Sequence, residues 1–275
     1  MTIPMTTLDT THLKVLFDRL NTRYQLDLSN YAPASLERRL ERFLSLHYFQ
    51  SIETLTDKLV TDSEFYDLFI KELTVNTTEM FRDASCWKII REQIIPALKD
   101  LPNIRIWHAG CSSGEEVFSM AILLQEENLL HKSRIIATDL NKNIIETAKK
   151  GTYSLKSLAQ NEDNYVQAGG QKRFSDYYSV SEPFYTMNPS LLENVKFMKH
   201  DLSCTKEFSK FDLILCRNVM IYFNKELQEK VFMLFQRSLL KKGFVVIGKK
   251  ESMAYYSNSG NFTEINSIEK IYRIK

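Results

Sequence analysis

The first part of the chain repeats apolar residues every three or four positions, which is the period of an amphipathic helix. The repeat extends from residue 11 to residue 73, through THLKVLFDRLNTRY, PASLERRLERFLSLHYF, SIETLTDKLV and SEFYDLFIKELT. This stretch contains no glycine, and Pro33 stands where a helix would begin, a position that suits proline. The pattern predicts a small all-helical domain over residues 9–73.

A different pattern begins at residue 84, where short apolar runs rich in isoleucine and valine alternate with helical stretches. Such alternation is typical of a mainly parallel sheet whose strands are joined by crossover helices. The predicted strands are 104–108, 134–138, 195–199, 211–216 and 243–248, followed by a closing hairpin across NFTEINSIEKIYRIK. Residues 84–275 are therefore predicted to form an α/β domain.

One segment interrupts this alternation. Residues 165–185, YVQAGGQKRFSDYYSVSEPFY, are rich in tyrosine, serine and glycine and fall where a crossover helix would be expected. We interpret them as the centre of a small β-rich lobe, at about residues 160–190, that is inserted into the α/β domain.

A polar stretch, VNTTEMFRD at residues 75–83, separates the two patterns. One interpretation is a capped helix start, in which Thr77 or Thr78 accepts hydrogen bonds from the free amides and Glu79 lies in the first turn. That interpretation leaves Asn76 and Arg82 unexplained. Residues 74–83 are predicted at this stage only to link the two domains.

Composition and charge restrict the class of protein. The chain has 275 residues, of which 44% are hydrophobic, and a formal net charge of +2, which disfavours nucleic acid as a partner. The amino-terminal MTIPMTTLDTTH lacks the pattern of a signal peptide, and no run approaches the ~20 apolar residues of a membrane span. We expect a cytoplasmic protein. The four cysteines form no CxxC pair, so we expect free thiols and no metal site.

The strongest chemical signal is the turn after the first predicted strand. Gly110-Cys111-Ser112-Ser113-Gly114 leads directly into an amphipathic helix, and such turns lie where ligands of open α/β sheets bind. Glu115 and Glu116 occupy the helix start, where a pyrophosphate would need bare amides, so the turn favours a cationic or amino-bearing ligand. The alternative is a tight turn whose acids only complement the helix dipole.

A second acid favours a ligand that contains ribose. Asp139 ends the second strand, about 25 to 30 residues after the glycine-rich turn, where doubly wound folds place a carboxylate that binds ribose hydroxyls. His200-Asp201-Leu202 and Arg217-Asn218-Val219 follow two further strands, so four strand ends converge on one cleft. A ribose together with a positive or zwitterionic tail fits S-adenosylmethionine better than NAD.

Five motifs, in their order and spacing, resemble those of the chemotaxis receptor glutamate methyltransferases, the CheR family. They are TVNTTEMFRD, AGCSSGEE, ATDLNKNIIETAKKGTY, FDLILCRNVMIYF and LLKKGFVVIGKKES. The resemblance covers about residues 11–275 and implies a Rossmann-like class I methyltransferase sheet with a small amino-terminal helical domain and an inserted β-subdomain. GEEVFS and GKKES depart from the family, which usually has Pro-Tyr after the second glutamate and a Gly-x-Ser-Glu pattern later.

The resemblance implies methyl transfer from S-adenosylmethionine to glutamate side chains on the cytoplasmic helices of chemoreceptors, with S-adenosylhomocysteine as product. We expect a monomer that neither binds nucleic acid nor inserts into a membrane. The alternatives are a cofactor-binding adaptor that does not turn over, or a methyltransferase for another protein or for nucleic acid. Against nucleic acid, Cys216 lacks the Pro-Cys context of cytosine-C5 enzymes, and no Asn-Pro-Pro-Tyr or Asp-Pro-Pro-Tyr motif is present.

The resemblance also assigns residues to the cofactor. In the 74–83 linker, three polar residues would reach over the cofactor as a lid: Asn76, Thr78 and Arg82. Gly110 belongs to the glycine-rich turn, Glu116 or its neighbour Glu115 would lie near the methionyl end, and Asp139 would hold the ribose. Asp201 and Leu202 would border the adenine, and Asn218 and Val219 would line the transfer site.

Catalysis would involve Arg82, Asn218 and Tyr222. Arg82 would either orient the substrate carboxylate, because its planar fork pairs with carboxylates, or bind the carboxylate of the cofactor. The ring of Tyr222 would face the sulfonium, unless it is a core aromatic beside Phe223. The target helix would dock on Arg38, Arg39 and Arg42 of the second predicted helix, whose alternative role is a solvated face balanced by nearby glutamates.

Overall fold

The computed structural model describes residues 10–73, 78–204, 207–254, 256 and 258–275. Its amino-terminal part is helical, as predicted, and the four helices are α1 (Thr10–Tyr24), α2 (Pro33–Leu46), α3 (Ile52–Thr61) and α4 (Ser63–Leu73). Pro33 is in the first turn of α2. Residues there have no partner within the helix for their N–H groups, so proline, which lacks this group, costs no hydrogen bond. The apolar stripe of α2 packs inward, and the ring of Phe43 lies 5.0 Å from that of Phe69 on α4.

The second part is built on a seven-stranded sheet, which confirms the predicted α/β class. Its strands are β1 (Ile104–Ala109), β2 (Ser133–Asp139), β6 (Val195–Lys199), β7 (Phe211–Cys216), β8 (Leu239–Ile247), β9 (Phe262–Asn266) and β10 (Ile271–Ile274). The order is β6-β2-β1-β7-β8-β10-β9. The first five are parallel neighbours, and the predicted closing hairpin adds two antiparallel strands.

Helices cover both faces of this sheet. They are α5 (Ala84–Ile89), which continues through a π-helical turn (Ile90–Ile94) into α6 (Ile95–Leu98), then α7 (Glu115–Glu126), α8 (Lys142–Lys150), α9 (Leu158–Gln167) and α10 (Lys225–Ser238). Neighbouring residues of β1 enter different cores: Ile106 packs under α7, and Trp107 packs on the α10 side. No helix in the described part of the chain is both long enough and apolar enough to cross a membrane.

A smaller antiparallel sheet lies beside the main one. It contains β3 (Thr152–Ser154), β4 (Tyr178–Ser181) and β5 (Phe184–Met187), in the order β3-β5-β4. The β-rich interpretation of residues 165–185 is therefore only partly right, because the sheet begins at Thr152 and the lobe also contains α9. The tyrosines pack inside it: the rings of Tyr153 and Tyr185 lie 5.6 Å apart.

Candidate functional site

One cleft lies at the carboxyl edge of the parallel strands, between the sheet and the helical domain. It encloses about 1070 Å³ of empty space, part of which is open to solvent. Ten residues predicted for the cofactor or the transfer site line it: Thr78, Arg82, Gly110, Glu116, Asp139, Asp201, Leu202, Asn218, Val219 and Tyr222. Arg39, which was predicted for receptor docking, lines it as well. Asn76 lies outside the described residues.

The glycine-rich turn is shaped by close packing. Gly110 has a φ of +87°, and a Cβ there would lie 2.4 Å from a methyl carbon of Val219, so only glycine fits. Ser112 follows with a φ of +49°, and its amide donates to Asp139 at 2.9 Å. The loops after β1 and β7 therefore meet closely beneath the cleft.

Asp139 lines the cleft and also stabilises the turns beside it through hydrogen bonds to main-chain amides. Its carboxylate accepts hydrogen bonds from the amides of Ser112 at 2.9 Å and Asn141 at 3.0 Å. Burial raises the pKa of this carboxyl, and the amide hydrogen bonds oppose that shift. Because each carboxylate oxygen accepts more than one hydrogen bond, Asp139 keeps acceptor capacity toward the cleft.

Glu116 is held as an anion. Its carboxylate is hydrogen-bonded to His108 Nδ1 at 2.8 Å and to Arg217 at 3.2 Å. Burial alone would raise the pKa of Glu116, but the hydrogen bond to His108 and the charge of Arg217 outweigh burial and lower it. A buried carboxylate in this state attracts an ammonium or another cation.

Glu115 differs from the sequence-based assignment. The cleft is lined by Glu116 and not by Glu115, because neighbouring residues of a helix point about 100° apart. The buried carboxyl of Glu115 accepts a hydrogen bond from Ser113 at 2.7 Å and lies near Tyr153 and Tyr185 of the inserted lobe. Glu115 therefore does not line this cleft, and its assignment to the cofactor stays a prediction.

Arg217 joins the sheet to the segment that precedes α5. It donates to Asp83 at 2.7 Å and to the main-chain carbonyl of Arg82 at 2.8 Å, and its side chain is only 3% exposed. Trp87 Nε1 donates to the same carbonyl at 3.1 Å. The main-chain carbonyl of Arg82 is thus bound by two side chains, and Arg82 is one of the residues that line the cleft.

This segment also corrects the helix-cap interpretation of residues 75–83. The helix begins at Ala84, and Asp83 before it has a φ of +56°. Thr78 and Glu79 lie in an irregular stretch outside the first turn, and Thr77 lies outside the described residues. Thr78, Glu79 and Arg82 of this stretch line the cleft.

Glu251 was missed by the sequence analysis. Its buried carboxylate accepts main-chain hydrogen bonds from Asn218 at 3.2 Å, Val219 at 2.9 Å and Met220 at 2.7 Å, and a fourth from Gly248. Asn218 has a φ of +61°, an uncommon conformation that needs support from its surroundings. The only signal for Glu251 in the sequence was that it is an acidic residue, in GKKES, just after a predicted strand.

The three arginines of α2 do not act as one group. Arg38 and Arg42 are exposed, and the predicted docking role for them remains a prediction. Arg39 lies in the cleft, where it donates to the carbonyl of Leu73 at 2.8 Å and lies 4.3 Å from the centre of the Tyr222 ring. Arg39 is thereby separated from the docking face that was predicted for it.

The cleft fits a ligand with a sugar and an amino-bearing tail. Ser112 Oγ and His200 Nδ1 are buried and find no hydrogen-bond partner in the described part of the chain, although both residues line the cleft. Such polar groups are expected to bind something. Asp139 offers acceptors for hydroxyl groups, and Glu116 offers a fixed negative charge.

Comparison with protein families decides which ligand this is. Residues 76–271 match the family model of the CheR methyltransferase, SAM binding domain, and residues 11–74 match that of the CheR methyltransferase, all-alpha domain. The chain belongs to the CheR methyltransferase family. It is therefore an S-adenosylmethionine-dependent methyltransferase, as the resemblance implied.

Relatives cover nearly the same length of chain. This CheR-family chain is 38% identical over 261 residues to the putative methyltransferase Cher3 of Pseudomonas putida, which covers 95% of this chain and 96% of the relative. It is 30% identical over 230 residues to a chemotaxis protein methyltransferase of Listeria innocua, with 83% and 85% covered. A chemotaxis protein methyltransferase 1 of Pseudomonas aeruginosa is 25% identical over 227 residues, with 78% and 80% covered.

Proposed function

We propose that this protein transfers a methyl group from S-adenosylmethionine to glutamate side chains on the cytoplasmic helices of chemoreceptors, and so forms glutamate methyl esters. The observation that carries the proposal is Arg82, an arginine that lines the cofactor cleft and whose main-chain carbonyl accepts hydrogen bonds from Arg217 and Trp87. A planar guanidinium pairs with a carboxylate in a defined geometry. The names of the relatives support a substrate in chemotaxis.

The cofactor residues divide the cleft into regions. Asp139 would bind the ribose hydroxyls, Asp201 and Leu202 would border the adenine, and Glu116 would pair with the amino group of the methionyl part. Thr78 and Arg82 would cover the cofactor from the linker. The cofactor supplies a methyl group on a positively charged sulfonium.

The reaction asks little of acid–base groups. A glutamate side chain with an ordinary pKa of about 4.3 is already ionised at neutral pH, so it needs no general base. The protein has to strip water from the carboxylate and align it with the methyl group. Arg82 would hold the carboxylate while the walls of the cleft exclude water.

Tyr222 and Asn218 would flank the transfer site. The guanidinium carbon of Arg39 lies 4.3 Å from the centre of the Tyr222 ring, so an arginine already interacts with one face of this ring. A role for Tyr222 toward the sulfonium then requires the hydroxyl oxygen or the opposite face of the ring. Asn218 lies on the loop that Glu251 supports, which fixes its backbone at the cleft wall.

Incubation with methyl-labelled S-adenosylmethionine and cytoplasmic fragments of chemoreceptors tests the proposal. Label that transfers to the fragment and leaves it under mild alkali marks a carboxyl methyl ester. Label that resists alkali marks an N-methyl product and another substrate class. Binding of fragment and cofactor without transfer would identify an adaptor.

A further inference from the structure

The backbone of residues 78–83 has a conformation that depends on contacts with other parts of the protein. Phe81 has a φ of +52° and Asp83 a φ of +56°, a left-handed conformation that is uncommon for residues other than glycine and an outlier for a bulky one. Such conformations persist when the surrounding structure fixes them. Arg82 stands between these two residues, so its direction depends on that support.

Two buried asparagines of α9 provide much of this support. Asn161 Oδ1 accepts a hydrogen bond from the amide of Met80 at 3.0 Å, and Asn164 Nδ2 donates to the carbonyl of Met80 at 3.0 Å. Asn164 Nδ2 also lies 3.1 Å from a carboxylate oxygen of Glu79. Both polar groups of the Met80 backbone are therefore bound by α9, and the next amide, that of Phe81, donates to Ser119 at 2.8 Å.

The choice of asparagine is informative. Asn161 is 1% exposed and Asn164 is 8% exposed, and a buried amide destabilises a fold unless it is hydrogen-bonded. Asparagine is also a poor residue for the interior of a helix. The two residues lie three positions apart, on one face of α9, and that face meets the 78–83 segment.

The same helix belongs to the inserted lobe. Asn161 Nδ2 donates to the hydroxyl of Tyr185 on β5 at 2.7 Å, so one side chain bonds to both the small sheet and the segment beside the cleft. Tyr178 on β4 donates to Glu162 at 2.9 Å, which ties α9 to the small sheet without involving the 78–83 segment.

We propose that Asn161 and Asn164 are positioning residues for the cofactor cleft: they hold the backbone of residues 78–83 in the conformation that places Thr78 and Arg82 along the cleft. The inserted lobe is thereby coupled to the cofactor site through the bond from Asn161 to Met80. The proposal does not depend on the identity of the methyl acceptor.

Three variants separate this role from general stabilisation. Asn161→Leu removes both hydrogen bonds, whereas Asn161→Asp keeps an acceptor for the amide of Met80. Tyr178→Phe removes a neighbouring bond between α9 and the small sheet, and is the matched control. Amide hydrogen exchange is measured on the free protein, and S-adenosylhomocysteine affinity is measured by calorimetry.

We expect Asn161→Leu to speed exchange at Met80 and Phe81 by about tenfold and to weaken S-adenosylhomocysteine binding by a similar factor, because the segment loses a buried hydrogen bond. Asn161→Asp, which keeps the acceptor for the Met80 amide, should exchange more slowly at Met80 and Phe81 than Asn161→Leu. Tyr178→Phe should lie close to the wild type in both measurements. Asn164→Ala, which loses the bond to the Met80 carbonyl, gives the second test if Asn161→Leu does not fold.

The proposal is overturned if a folded Asn161→Leu or Asn164→Ala protein keeps wild-type exchange at Met80 and Phe81. It is also overturned if Asn161→Leu, Asn161→Asp and Tyr178→Phe behave alike, since that pattern marks a purely structural role. Failure to methylate a receptor would contradict the proposed function, but it would leave the exchange result unchanged.

Discussion

Glu251 and Val219 are joined by a hydrogen bond of 2.9 Å, in which the main-chain amide of Val219 donates to the buried carboxylate. The same carboxylate binds the amides on either side, those of Asn218 and Met220. One acid after β8 therefore sets the conformation of the loop after β7, at the wall of the cofactor cleft. Positions near a site can thus be fixed by a residue distant in sequence.

Replacement of Glu251 by Gln should damage this loop. Glutamine has one acceptor oxygen where glutamate has two, and its amide hydrogens would face main-chain donors. We expect the free energy of unfolding to fall by about 1–3 kcal/mol and S-adenosylhomocysteine affinity to fall with it. Chemical denaturation and calorimetry measure both. Glu264→Gln, at an exposed position of β9, is the control. If the two variants have the same stability and the same S-adenosylhomocysteine affinity, Glu251 does not support the loop.

Arg82→Lys distinguishes substrate from cofactor as the partner of Arg82. Lysine keeps the charge and loses the planar fork. If Arg82 orients the substrate carboxylate, methyl transfer should fall by about tenfold while cofactor affinity changes by less than about threefold. Steady-state kinetics and calorimetry give the two numbers, with Arg105→Lys at the far end of β1 as control. Equal losses in both would assign Arg82 to the cofactor.

Glu115 should make stability depend on pH. Burial raises its pKa from 4.5 to about 7, so the folded protein binds a proton that the unfolded chain releases. The stability that this proton supplies is present below about 4.5 and is lost as pH rises through about 7. At pH 8, Glu115→Gln should therefore be the more stable protein, by on the order of 1–3 kcal/mol.

Thermal unfolding across a pH series checks this prediction. The two proteins should converge in stability as pH falls below about 4.5, because Glu115 then becomes neutral in the unfolded chain as well as in the folded protein. Parallel stability curves for the wild type and Glu115→Gln would mean that the Glu115 carboxyl titrates normally in the folded protein.

Arg38 and Arg42 should speed the encounter with an acidic helix. Both are exposed on α2, and reversing them to Glu should slow receptor methylation by about three- to tenfold at low ionic strength, because electrostatic steering is lost. Cofactor affinity and stability should stay near wild type. Methylation rates across a salt series measure the effect. The control is the double variant Lys241→Glu and Lys242→Glu, which makes the same charge change at the end of β8 that is away from the cleft. If the control slows methylation equally, docking on α2 is refuted.

The sequence was informative where one chain segment determines its own structure. Apolar periodicity gave the helices and strands, and the parallel order of strands brought Gly110, Asp139, Asp201 and Asn218 to one edge of the sheet. Each of these residues ends a strand or follows one within two positions. Their meeting therefore follows from topology, without knowledge of side-chain packing.

Features that depend on tertiary contacts were not predictable from the sequence. Which of Glu115 and Glu116 faces the cleft depends on the rotation of α7 about its axis. The position of Arg39 in the cleft involves contacts with Leu73 and Tyr222, which are distant from it in sequence. Asn161 and Glu251 bind main-chain groups that are far away in sequence. Because nearly every residue has the same main-chain groups, the sequence does not show which of them a side chain will bind.

Peptide mapping of a methylated receptor fragment tests the proposed function most directly. A cytoplasmic chemoreceptor fragment is incubated with the protein and S-adenosylmethionine, digested, and searched by tandem mass spectrometry for added methyl groups. We predict single methyl groups on glutamate side chains, absent when S-adenosylmethionine is omitted and removed by mild alkali. Methyl groups confined to lysine, arginine or another side chain, or an unmodified fragment from a preparation that binds S-adenosylhomocysteine normally, would contradict glutamate methyl transfer.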